Sequence, residues 1–259
     1  MNDFLNVFNK KAFIAFITAG DPNLDKTIEF VDTMINAGVS LIELGIPFSD
    51  PIAEGDVISE ADIRALKSKT TTDKIFDAVK TIRLKHKDFP LVFMTYANPV
   101  YSYGYDKFFK KCQELNMLGV IIPDLPFEEK NEAALIAKKY NQTIISMIAP
   151  TSEDRIKKIA LDAEGFIYLV SSLGVTGMRD TFSSNLEDIV KKIKEYTNTP
   201  VAIGFGIKNE EQAYQMSKIA DGAIVGSAIV SIIAKYQDNA SPYIYDYCKK
   251  MVEACQKAD

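Results

Sequence analysis

VAIGFGIKNEEQAYQMSKIADGAIVG (residues 201–226) reads as one complete strand–helix–strand unit. Two short runs of β-branched and small apolar residues, VAIGFG and GAIVG, flank NEEQAYQMSKIADG, whose apolar positions recur at helical spacing between an opening Asn and a closing Gly. Strands joined through a crossover helix lie parallel, because a parallel pair cannot be closed by a hairpin.

The same rhythm continues outward to both ends of the chain. AFIAFIT (12–18), LIELG (41–45), LVFMTY (91–96), GVIIP (119–123), TIISMIA (143–149) and FIYLV (166–170) read as further strands, eight in all. Amphipathic stretches such as DKTIEFVDTMINAG, DKIFDAVKTIRLK, DKFFKKCQELN, EEKNEAALIAKKY, SEDRIKKIALDAEG and NLEDIVKKIKEY alternate with them, and no Pro/Gly/Ser-rich linker intervenes. Eight strands in 259 residues match a single (β/α)8 TIM barrel of about 250 residues, so residues 1–259 are read as one α/β domain with additional terminal helices. The last of these, SPYIYDYCKKMVEACQKAD, is expected to cover the barrel wall, with Tyr243, Tyr245 and Tyr247 as packing residues.

Composition removes several function classes. The 35 acidic and 30 basic residues are scattered, giving a net charge of −5 and no basic face for a nucleic-acid backbone. No apolar run reaches the ~20 residues of a membrane span, and MNDFLNVFNKKAF lacks the apolar stretch of a signal peptide, so a cytoplasmic location is expected. Cys112, Cys248 and Cys255 have neither CxxC nor metal-ligand spacing and read as helix residues; no metal site is expected. His86, the one histidine, lies in the charged stretch RLKHKDFP and reads as a solvated helix end, which leaves no Ser-His or Cys-His catalysis.

Active sites of parallel barrels lie at the carboxyl ends of the strands. Glu43 stands within such a strand among Ile42, Leu44, Ile46 and Phe48, where lost hydration would raise its pKa and suit it to proton transfer near neutral pH. The competing reading is a buried ion pair, although the first five strands contain no Lys or Arg. The loop IPFSDPIAEGDVIS after the second strand, carrying Asp50, Glu54 and Asp56, is either an elaborated turn or an active-site loop. SLGVTGMR (172–179) is either a glycine-hinged lid or a surface loop. Gly204-Phe205-Gly206 and Gly226-Ser227, after the seventh and eighth strands, stand where barrels commonly bind phosphate through backbone N–H groups and a helix N-terminus.

LIELGIPFSDPIAEG (41–55) resembles the signature of the tryptophan synthase alpha subunit family. ITAGDPN, MTYANPVYSYG, IIPDLPFEE, YLVSSLGVTG, IGFGI and GAIVGSAIV follow in that family's order, so the resemblance spans essentially the whole chain. It implies a retro-aldol cleavage of indole-3-glycerol phosphate to indole and glyceraldehyde 3-phosphate, late in L-tryptophan biosynthesis, with no metal or cofactor in this chain. It also implies that Glu43 is the acid/base at indole C3, Glu54 the second carboxylate facing the indole N–H, and Tyr168 the tyrosine beside Glu43.

By the same resemblance, Thr176 is the lid threonine that bonds the second carboxylate, and Gly177, Phe205, Gly206, Gly226 and Ser227 hold the phosphate. Phe16, Met94, Ile121 and Met147 line the indole pocket, or else are barrel core. Pro47, Asp50 and Asp124 fall in loops that face a pyridoxal-phosphate-dependent beta subunit, in an expected α2β2 heterotetramer. Two residues depart from the family's usual pattern: Glu54 stands for Asp, one methylene longer, and Asp56 stands for Pro. The first lengthens the reach of the second carboxylate, and about 1 Å of misplacement can cost ~100-fold in rate. That departure leaves open a free-standing lyase that releases indole; other phosphate-binding barrels or a non-catalytic scaffold fit the long signature less well.

Overall fold

The computed structural model describes residues 4–170, 179–204 and 206–259, with the side chains of 179–185 outside the description. Among the described residues, nine parallel strands form one sheet: β1 Ala12–Thr18, β2 Leu41–Gly45, β3 Leu91–Met94, β4 Gly119–Ile121, β5 Thr143–Ile144, β6 Ser146–Ile148, β7 Ile167–Val170, β8 Val201–Gly204 and β9 Gly222–Val225. Their spatial order runs β5-β4-β3-β2-β1-β9-β8-β7-β6. The two ends of that order are separated in sequence only by Ile145, whose N–H donates to Val120 O at 2.9 Å, and the ring closes there. The fifth strand expected from TIISMIA is therefore two short segments, because one half pairs with β4 and the other with β7.

Alternation along each strand separates two apolar layers. Phe13, Ala15 and Ile17, with Ile42 and Leu44, face the helices in one large cluster. Ala12 and Ile14, with Leu41, Val92, Ile121, Tyr168, Ala202 and Ile224, fill the barrel interior. The outer layer includes α2 (Leu24–Asn36), α4 (Thr72–Lys85), α6 (Tyr105–Glu114), α7 (Lys130–Lys139), α8 (Glu153–Asp162) and α10 (Glu210–Ile219). Asn23, Thr71 and Asn209 cap α2, α4 and α10 by accepting from backbone N–H groups three residues on. Asn116 and Asn141, just past α6 and α7, adopt left-handed φ of 50° and 54° that end those helices.

Helices α1 (Phe4–Val7), α5 (Ala97–Tyr103), α9 (Arg179–Tyr196) and α11 (Ser227–Tyr236) complete the layer with α12 (Ser241–Gln256), which lies against α2, α10 and β1 as the covering helix anticipated. The stretch DVIS, read as loop, instead begins α3 (Asp56–Lys67): Gly55 is extended at the N-cap, and Asp56 in the first turn suits the positive end of the helix dipole. Cys112, Cys248 and Cys255 are buried helix residues. His86 ends α4 but is not simply solvated, since its Nε2 lies 2.8 Å from Asp32 Oδ1. No helix among the described residues is long and apolar enough to cross a membrane.

Candidate active site

One cavity opens at the carboxyl ends of the strands, and Glu43, Tyr168, Glu54, Phe16, Gly206 and Ser227 all line it. Glu43 enters from β2 in register with Phe16 on β1 and Val92 on β3. It has no exposed surface, and neither carboxyl oxygen has a hydrogen-bond partner among the described residues. The ion-pair alternative finds no counterpart there. Burial alone raises the Glu43 pKa from 4.5 to about 8, so the resting carboxyl holds its proton at neutral pH.

Tyr168 reaches the same region from β7, its phenol pushed well above the usual range by burial and then by the charge of Glu43. Its hydroxyl lies directly against the Cα of Gly204, where any side chain would collide with it. Phe16 is seated in a similar way across Gly45 and Gly226, where a Cβ would come within 2.7 Å and 3.1 Å of its ring. Met94 and Met147 line the cavity, whereas Ile121 sits behind them in the barrel interior with no exposed surface.

Gly206 adopts a φ of 77°, a conformation that favours glycine and keeps its backbone clear of side-chain bulk. Across the cavity, α11 begins at Ser227 after Gly226, and no side chain caps its first N–H groups. Together they form a cradle able to receive an anion. Thr176, Gly177 and Phe205 lie outside the described residues.

The family model for the tryptophan synthase alpha chain matches residues 4–257. The tryptophan synthase alpha chain of Lacticaseibacillus casei is 49% identical over 252 residues, covering 97% of this chain and 94% of that one. The chain belongs to the tryptophan synthase alpha chain family. The solved tryptophan synthase subunit alpha from Legionella pneumophila superposes with a TM-score of 0.91 at 32% identity over 99% of both chains. That from Campylobacter jejuni gives 0.88 at 34% identity over 96% of this chain and 98% of that one.

Membership of the tryptophan synthase alpha chain family makes this chain a carbon–carbon lyase that cleaves indole-3-glycerol phosphate to indole and glyceraldehyde 3-phosphate. Alpha chains need no cofactor of their own; pyridoxal phosphate belongs to the beta subunit, the family's partner.

Two residues that no motif singles out, Tyr96 and Asp62, stand beside Glu54. Glu54 meets the hydroxyl of Tyr96, which itself accepts from Ala53 N–H at 3.0 Å, and also meets the carboxyl of Asp62 on α3. Asp62 is buried, with the Phe48 backbone N–H and the Thr18 hydroxyl facing it. Burial and then the neighbouring Glu54 push Asp62 up to about 8. Tyr96 lies in MTYANPVYSYG and Asp62 in DVISEADIRALK. The available signal was an Asp adjoining Ala61 and Ala65 on the apolar face of a helix.

The three interface candidates differ in what they present. Asp50 is exposed and accepts from Ser49 Oγ. Pro47 is buried, and Asp124 accepts from Ala97 N–H at 2.8 Å at the start of α5.

Proposed function

We propose that Glu43 is the acid/base of the cleavage: it delivers its proton to indole C3 and recovers one from the glycerol hydroxyl as the C–C bond breaks. Protonation at C3 interrupts the ring's aromaticity, and the bonding electrons flow into the resulting indolenine while the hydroxyl carbon becomes the aldehyde. The observation that carries this reading is a fully buried carboxyl without a partner among the described residues, whose pKa of about 8 leaves it neutral and holding its proton before substrate arrives.

Glu54 receives the indole N–H and offsets the positive charge of the indolenine, with Tyr168 beside Glu43. Phe16, Met94 and Met147 take the indole ring, backed by Ile121. Gly206, Gly226 and Ser227 hold the phosphate together with Gly177 and Phe205, and Thr176 meets Glu54 when the 172–179 segment closes. Residues 1–259 act as one cytoplasmic domain that joins the beta subunit in an α2β2 heterotetramer through the loops of Pro47, Asp50 and Asp124.

The test is indole release from indole-3-glycerol phosphate, with and without a beta subunit. Glu43→Gln should fold and bind substrate but lose about 1,000-fold or more in kcat, within or beyond the usual range for an acid/base group. Near-normal turnover of that variant sinks the assignment. Unchanged activity on adding the beta subunit sinks the partner.

A further inference from the structure

Glu54 and Asp62 come from different elements, a loop and the middle of α3, yet their carboxyls touch behind the cavity wall. Only Glu54 lines the cavity. Two ionised carboxylates in contact repel, and neither has a hydrogen to offer the other. Glu54 Oε2 is also buried with no donor among the described residues. A single proton on one carboxyl removes both difficulties. The deeper group is the better place for it, because desolvation disfavours charge most where water is farthest, and Asp62 is only 4% exposed. Its second oxygen still faces the Phe48 backbone N–H.

We propose that Asp62 is the positioning residue for Glu54: it holds one proton, donates it to Glu54 in a carboxyl–carboxyl hydrogen bond, and leaves the pair's single negative charge on the side chain that faces the cavity. The inference rests on reading Glu54 as the second carboxylate. It supplies what a glutamate at that position needs, since the extra methylene adds a rotatable bond that an anchor at the carboxyl removes. The Tyr96 hydroxyl stands close to Glu54 from another element, so the carboxyl is flanked on two sides.

The arrangement also has a pH limit. The titratable groups facing Asp62 are Glu54 and, next to it, Tyr96; Arg64, two residues on and so on the opposite side of α3, is engaged with Asp21. No cation is therefore available to the pair among the groups that face it, and near pH 8 the shared proton leaves and Glu54 is released.

The experiment compares pH profiles of kcat and KM for indole release by the full chain and three variants. Asp62→Ala should lose about 10- to 100-fold in kcat with KM changed much less. Asp62→Asn, whose amide donates at every pH, should recover most of that loss and decline less steeply above pH 8 than the wild type. Because Glu43 titrates in the same range, side-chain carboxyl 13C NMR is recorded in the Glu43→Gln background. One carboxyl should deprotonate near pH 8 there, and none should once Asp62→Asn is added. Asp62 variants that match the wild type in kcat and pH profile, or an NMR titration unchanged by Asp62→Asn, overturn the inference. A crippled Glu54→Gln beside those results leaves the Glu54 reading standing, whereas a fully active Glu54→Gln overturns that reading and the inference with it.

Discussion

A carboxylic acid with no exposed surface and no donor among the described residues is a weakness in the fold that depends on pH. The folded Glu43 pKa, about 8, lies above the unfolded 4.5, so the native state binds more protons between those values. The stability contribution is fully present below 4.5 and is lost as pH rises through 8, at up to about 1 kcal/mol per pH unit. Asp62 acts in the same direction, from 3.8 to about 8. Glu43→Gln should therefore gain stability relative to the wild type as pH rises from 5 to 8, by about 3 kcal/mol in urea titrations. A constant difference across that range contradicts a protonated resting Glu43. Gly204→Ala tests the seat of Tyr168: the added methyl lands on the phenol hydroxyl, and displacement of the ring should lower kcat/KM by about 100-fold while the protein still folds.

Among the elements, α3 does the most to assemble the site. It follows the Glu54 loop directly and carries Asp62 on its buried face. Arg64 on the same helix makes a two-point contact with Asp21, Nε to Oδ1 and Nη2 to Oδ2, both 2.8 Å, which ties α3 to the segment after β1. Asp21 is 1% exposed, so Arg64→Ala would strand a buried carboxylate and should cost about 3 kcal/mol, visible as a lower Tm. Arg64→Lys keeps the charge but not the planar fork and should recover only part of the loss. Helix α3 was also the element least legible in the chain. Its N-cap is a glycine without a side-chain bond, and the preceding Pro, Ser and Asp residues mark a loop, so DVIS read as a continuation of that loop. The helices with Asn or Thr caps, α2, α4 and α10, were legible because the capping bond is local.

For the molecule as a whole, the three thiols report on integrity. Cys112, Cys248 and Cys255 are fully buried, and burial raises each thiol, Cys248 to about 12 and Cys255 to about 11. The native protein should react with a thiol reagent such as DTNB at less than one site over minutes, and all three should react at once in denaturant. Rapid native labelling would contradict the packing of α6 and α12.

The alternation of strands and helices, the place of Glu43 inside its strand and the glycines that follow the last two strands were all readable from the chain, because each depends on residue type and spacing along a single element. So was the family, through motifs that keep their order from end to end. Tertiary structure alone decided that no cation among the described residues reaches Glu43, that the fifth strand divides at Ile145 to close the ring, and that Asp62 lies against Glu54. Those facts depend on which faces of separate elements meet, and the packing that brings them together is set by the whole barrel, not by any local pattern.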